Sequence, residues 1–260
     1  MKRVKLTVAY DGTNYCGWQV QPNGISVQEV LNRELSQLLK EEIHTIGASR
    51  TDAGVHALGN VAVFDTENRM PADRISLALN TRLPQDIRIQ ESREVPAEFH
   101  PRFCETRKTY EYRILNRKFP DPTRRLYSYF YYYPLDVDLM RKAAQYLIGE
   151  HDFKSFCTAK PETENTVRRI EALDIDRAND LITIRIRGNG FLYNMVRIIA
   201  GTLIRVGGGF FEPEHVREIL EARDRSMAGE TARPEGLTLV KIEYPQWEAC
   251  GWSAKKPEES

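Results

Sequence analysis

Two apolar spacings alternate along the chain. Val4, Leu6, Val8 and Tyr10 take every second position, with Lys5, Thr7 and Ala9 between them, which predicts a strand with one buried face. Asp11-Gly12-Thr13 follows as a turn. Val27, Val30, Leu31, Leu35, Leu38 and Leu39 then recur at steps of three and four, predicting a helix over about 26–39. Ser26-Val27-Gln28-Glu29 at its start has the Ser-x-x-Glu spacing of a capping box. Further strands are predicted over 43–48 and 61–64 and at Ile87 and Ile89, with a second helix opened by Pro71 and carrying Ile75, Leu79 and Leu83. The order β-α-β-β-α-β is that of ferredoxin-like units, which RNA-binding sheets also use.

After a linker over 95–101, strand patterning resumes. Tyr110, Tyr112 and Ile114 share one face, while Thr109, Glu111 and Arg113 share the other. Residues 127–133 read as a second tyrosine-rich strand, and 137–148 as a helix stopped by Gly149. Residues 167–175 and 181–186 read as paired strands joined by a polar turn. The most apolar helix is predicted over 191–206, closed by Gly207-Gly208-Gly209, with Arg197 off its buried stripe. A helix over 214–223 and a strand from Leu237 complete the pattern. The expected fold is α+β: two ferredoxin-like, RRM-like halves with antiparallel-rich sheets, helices packed on them and a cleft between. Residues 1–97 form one half, 98–248 the other, and 249–260 a disordered tail. No strong internal sequence repeat accompanies this order.

Composition narrows the class. The 260 residues are 41% apolar and 28% charged, ordinary for a globular protein with a sizeable core. The formal net charge of zero argues against a uniformly basic coat and allows a basic cleft balanced by acidic outer faces. No stretch is long and apolar enough to span a membrane, and the N-terminus lacks a signal peptide's apolar core. Cys16, Cys104, Cys157 and Cys250 are scattered, which points to reduced thiols in a cytoplasm rather than a zinc site or disulfide framework.

Chemistry concentrates in Gly47-Ala-Ser-Arg50-Thr-Asp52-Ala-Gly-Val-His56-Ala. A carboxylate near an arginine can be held ionised in a partly dry cleft, because the guanidinium offsets desolvation. Such an Asp serves as nucleophile or base. The same residues also suit a capped turn, since Asp, Ser and Thr in loops bond their own backbone. Tyr15 to Gln21 holds two aromatics and two amides; it fits either base recognition or a loop anchored in the core by Trp18. His56, four residues beyond Asp52, raises a metal-ligand reading with no partner His or Cys nearby. Lys108, Arg113, Arg117, Lys118, Arg124, Arg125, Arg168, Arg169, Arg185 and Arg187, set among tyrosines, suggest a phosphate-tracking surface or ordinary solvated faces.

The Asp52 stretch closely resembles the catalytic loop of the tRNA pseudouridine synthase A family. Four more segments resemble the family in its order: Tyr10 to Gln19, Phe99 to Phe103 with Arg107 to Tyr112, Gly190 to Arg197, and Ala232 to Leu237. The resemblance covers about residues 3–245. It implies that Asp52 is the catalytic aspartate, that Arg50 supports the loop and contacts RNA, that Tyr110 stacks on the target uracil, that Arg197 pairs with Asp52, and that Leu237 helps floor the pocket; by charge alone, Arg197 so placed is expected to lower the Asp52 pKa and keep it reactive at neutral pH. It further implies pseudouridine formation at positions 38, 39 and 40 of the tRNA anticodon stem-loop, with no cofactor or metal, by a homodimer. Asn60 stands where the family more often has Gln, and Pro101 where a small residue is usual; both changes are expected to bear little on catalysis. Competing readings are a pseudouridine synthase acting on other RNA sites, a non-catalytic RNA-binding module, and a metal-dependent hydrolase centred on Asp52 and His56.

Overall fold

A computed structural model of the chain describes residues 1–158 and 165–249. The first half runs β1 (Lys2–Tyr10), α1 (Val27–Leu39), β2 (Ile46–Gly47), β3 (His56–Thr66), α2 (Ala72–Asn80) and β4 (Ile87–Val95). The capping box of α1 forms as predicted: the Ser26 hydroxyl accepts from the Glu29 amide while the Glu29 carboxylate accepts from the Ser26 amide. Strands β1 and β3 pair antiparallel, as do β1 and β4, and β2 and β3, giving the spatial order β4-β1-β3-β2 of a split βαβ unit.

The second half runs β5 (Arg107–Asn116), β6 (Tyr129–Tyr131), α3 (Val137–Gln145), β7 (Gly149–Asp152), β8 (Val167–Ala178), β9 (Leu181–Gly188), α4 (Met195–Gly207), α5 (His215–Ala222), β10 (Leu237–Glu243) and α6 (Pro245–Ala249). Its main strands lie in the order β10-β5-β9-β8, all antiparallel. With α3 between β5 and β8 and α4 between β9 and β10, this repeats the topology of the first half, although the two sequences show no clear repeat.

The halves share one ten-stranded sheet because β10 pairs on both sides, antiparallel with β5 and parallel with β3 through Thr238 opposite His56 and Leu239 opposite Ala57. The outer edge of β3 thus serves two partners, β10 at its start and β2 at Ala62–Val63. The core follows the predicted periodicity: Val4, Leu6 and Val8 are fully buried together with Leu31, Leu35, Ile75 and Leu79.

Several boundaries differ from the pattern. The strand expected over 43–48 is reduced to Ile46–Gly47, whereas β3 starts at His56, only four residues after Asp52. The apolar helix begins at Met195 rather than 191, because Asn194 adopts a left-handed conformation with φ 61° and stops the helix from extending backwards. The second tyrosine-rich strand shrinks to Tyr129–Tyr131 and runs parallel to β5. Strand β7 had no periodic signal; it is four residues long and pairs with β8. From residue 250 onward the expected tail lies outside the described residues.

Candidate active site

The loop between β2 and β3 is fixed by close backbone approach from the segment after β1. A Cβ on Gly12 would lie 2.0 Å from the Val55 carbonyl oxygen, and Gly17, at φ 95°, leaves only 2.4 Å to the Thr51 carbonyl oxygen. No other residue type fits either position without displacing the loop. The Trp18 amide donates to the Thr51 carbonyl (3.1 Å), and the Val55 amide to the Asp52 carbonyl (3.1 Å). Trp18 is buried against Tyr10, so its role is the core anchor of the two considered, while Gln19 and Gln21 line the cleft.

Two buried polar side chains secure the loop from below. The Tyr10 hydroxyl lies 2.7 Å from the Thr51 hydroxyl. Asn60, fully buried, donates from Nδ2 to the Ser49 carbonyl (3.0 Å) and the Tyr10 hydroxyl (3.3 Å), while its Oδ1 accepts from the Val61 amide (2.9 Å). The residue expected to matter little therefore ties the loop to β3. His56 is similarly occupied. Its Nδ1 accepts from the Gly12 amide (3.1 Å) and its Nε2 donates to the Leu126 carbonyl (2.8 Å). Nδ1 also lies 3.1 Å from Asp11 Oδ1, so both ring nitrogens are engaged, which makes His56 a brace between the loop and the second half. Among the described residues no group of three His, Cys, Asp or Glu side chains is placed to hold a metal ion.

Asp52 sits at the bottom of a cavity of about 870 Å³ formed between the two halves. Its Oδ2 accepts from Arg197 Nη1 at 2.9 Å, and the two side chains are only 14% and 15% exposed. Arg197 comes from the first turn of α4 and is itself held: Nε donates to the Ala232 carbonyl (2.7 Å), and Nη1 also reaches Asn194 Oδ1 (3.0 Å). One nitrogen serves the carboxylate, so the contact is monodentate and the fork spans three acceptors. Burial is the largest influence on Asp52 and leaves its carboxyl above the usual aspartate value, although the Arg197 hydrogen bond and charge pull it down. Arg197 lowers the Asp52 pKa as expected, but desolvation outweighs its hydrogen bond and charge, so the net shift is upward.

Tyr110, on β5, lines the same cavity with its ring edge-to-face against Phe191, centroids 5.2 Å apart. Its hydroxyl is 3.0 Å from Ser49 Oγ, and burial pushes its pKa up to about 12. Leu237 opens β10 directly opposite Tyr112 in register, which places it on the cavity wall beside Tyr110. Arg50 is exposed and lines the cavity as well. The five residues singled out in the sequence, Arg50, Asp52, Tyr110, Arg197 and Leu237, all line this one cavity.

The basic residues divide. Lys108 and Arg168 line the cavity, and Arg102 joins them. Arg113 and Arg185 lie on the opposite face of the sheet, bound to Glu111 (2.9 and 3.0 Å), while Arg187 and Arg107 bind Glu171 (3.2 and 3.3 Å). Each of these two carboxylates bridges two arginines, so the set is partly compensated and lies away from the cavity. Sequence reading gave Ser49 and Arg102 no role of their own and expected Asn60 to bear little on catalysis. It counted Lys108 only as one of many cations, although its position two residues before Tyr110 on a strand marks it as facing the same way.

The family model described as tRNA pseudouridine synthase matches residues 6–104 and 143–245. A protein named tRNA pseudouridine synthase A from Thermoanaerobacter sp. (strain X514) is 49% identical over 244 residues, 94% of this chain and 100% of that protein. Proteins of the same name from Brevibacillus brevis and Caldicellulosiruptor bescii are 47% and 46% identical over the same shares. With matches spanning both halves, the chain belongs to the tRNA pseudouridine synthase family.

Proposed function

We propose that this chain isomerises uridine to pseudouridine in the anticodon stem-loop of tRNA, at positions 38, 39 and 40, with Asp52 as the catalytic group. The observation that carries the reading is the buried Asp52–Arg197 pair at the bottom of a cavity flanked by Tyr110 and Leu237 and rimmed by cations. The reaction breaks the bond from C1′ to N1, turns the uracil and joins C1′ to C5; C5 gives up its proton to solvent and N1 takes one up. Atoms are otherwise conserved and no electrons are exchanged, so one carboxylate is enough to drive it. Attack at C1′ and removal of the C2′ proton both use that carboxylate in its ionised form.

The target base has to leave its stack to reach Asp52, and a buried aromatic can replace the stacking it gives up. Tyr110 is that group; stacking on a ring is worth roughly 1–3 kcal/mol per base. Leu237 closes the apolar side of the pocket. Arg197 compensates the buried carboxylate, and Arg50, at the cleft surface, contacts the RNA strand. The enzyme works as a homodimer in the cytoplasm, where tRNA and reduced cysteines coexist; Cys16, Cys104 and Cys157 are free thiols. No helix among the described residues is long and apolar enough to cross a membrane.

The test is tritium release from tRNA labelled at uracil C5, with wild type and Asp52→Ala compared without added metal. Release by wild type alone, mapping to positions 38–40, is the expected result. Equal release by Asp52→Ala would remove that residue from catalysis. No release by either, from undermodified tRNA that both still bind, would favour an RNA-binding module. Light scattering of the purified chain checks the dimer.

A further inference from the structure

Within the Asp52 cavity, charge is unevenly compensated. Arg197 has its carboxylate, but Arg102, Lys108 and Arg168 line the same cavity without a carboxylate partner among the described residues. Lys108 Nζ donates to the Ala48 carbonyl (3.0 Å) and Ser49 Oγ (3.2 Å), and Arg168 Nη1 to the backbone oxygens of Asn165 and Val167. All of these acceptors are neutral. Burial, with the nearby charges of Arg102 and Arg168 adding to it, brings the Lys108 pKa down to about 8. The other hollow of the sheet shows the contrast: there Arg185, Arg187 and Lys241 share the space with Asp174, and Glu111 and Glu171 bind the two arginines. Three gathered cations with no carboxylate partner among the described residues repel one another, and an anion is the chemistry that relieves them.

We propose that Arg102, Lys108 and Arg168 form a subsite for one phosphate of the RNA backbone beside the extruded uridine, with Lys108 linking that phosphate to the base pocket. The link is a short chain of contacts. Lys108 holds Ser49 Oγ, and Ser49 Oγ meets the Tyr110 hydroxyl at 3.0 Å. A phosphate drawn to Lys108 is thereby registered against the ring on which the base stacks. The proposal rests on the reading of the chain as a tRNA pseudouridine synthase and adds which part of the cleft grips the backbone. Arg102 and Lys108 come from either side of the start of β5 and Arg168 from β8, so the subsite belongs to the second half, while Asp52 belongs to the first.

The experiment measures binding of an anticodon stem-loop RNA, by fluorescence anisotropy, across a range of salt concentrations. Wild type is compared with the double variant Arg102→Gln/Arg168→Gln and with a control, Arg107→Gln/Arg187→Gln, on the opposite face. Loss of one phosphate contact lowers the slope of log Kd against log salt by about 0.7 for a single strand. The double variant should lose that amount and the control none. A series of stem-loops, each with one phosphate replaced by a neutral methylphosphonate, should contain one that weakens wild type about tenfold, the effect of one charge-assisted contact, and leaves the double variant unaffected. An unchanged slope in the double variant, or no neutral linkage whose penalty disappears in it, would overturn the subsite. Tritium release by wild type is read in parallel. Its absence alongside the slope difference would count against the isomerase reading and leave the subsite standing.

Discussion

Replacing Arg197 with Met tests whether the guanidinium acts on Asp52 through charge and hydrogen bonding. Both side chains are nearly buried, and the Nη1 to Oδ2 distance is 2.9 Å. A hydrogen bond to a charged group contributes about 1.5–3 kcal/mol, and one pKa unit corresponds to about 1.36 kcal/mol. Removing this bond should therefore raise the Asp52 pKa further, beyond the increase that burial already causes. The sign follows from the working form. In the proposed reaction Asp52 acts as a carboxylate, so turnover should fall as pH drops through its pKa, and in Arg197→Met that fall should occur at higher pH. Single-turnover tritium release between pH 4.5 and 9 or so, with circular dichroism to confirm folding, reads this directly. Above the shifted limb much of the rate should return. Arg197→Lys should show a smaller shift but still lose rate, because one ammonium cannot also hold Ala232 and Asn194 as the fork does. An acid limb at the same pH in wild type and Arg197→Met would refute the electrostatic role.

Three further outcomes are expected. Tyr110→Phe keeps the ring and loses the contact with Ser49, so affinity for the stem-loop should stay within about threefold while turnover declines; a large loss of binding would contradict a stacking role. Asn60→Ala leaves the Ser49 carbonyl without its buried donor, which should cost about 1–3 kcal/mol in urea denaturation and lower kcat more than it raises KM; unchanged stability would mean that the loop is held elsewhere. Burial raises the Glu111 pKa, but Arg185 and Arg113 outweigh it, and the net shift is downward. Its stabilising effect is therefore present above the unfolded value near 4.3 and disappears as pH falls through the lower folded value. Glu111→Gln should flatten that acid limb in thermal melts.

Local rules made much of the fold legible. The helix at 27–39 announced itself by spacing and capping, and alternation correctly assigned Tyr110 and Glu111 to opposite faces. The shared topology of the halves was only partly visible, because element order is written in periodicity whereas strand pairing depends on contacts between distant residues. The two-sided pairing of β10 is of that kind. The candidate site was legible at Asp52, Tyr110 and Arg197 through their motifs. The net pKa of Asp52 was not, since it depends on how deeply two halves enclose a carboxylate. Nor could a string of arginines reveal which face each would take. Arg168 reaches the cleft, and Arg185 is paired behind the sheet with a glutamate some seventy residues away in sequence.

Strand β10 also governs the biosynthesis of the enzyme. Of the ten strands it is the last to leave the ribosome, yet it alone joins β3 to β5. Until it emerges, the nascent chain carries two open sheet edges, each able to pair with the wrong partner. Leu237 arrives with the same strand, and the Ala232 carbonyl that steadies Arg197 comes just before it. The cavity is therefore completed at the same moment as the sheet. A partly made chain holds Asp52 but no finished pocket around it until β10 is free to pair.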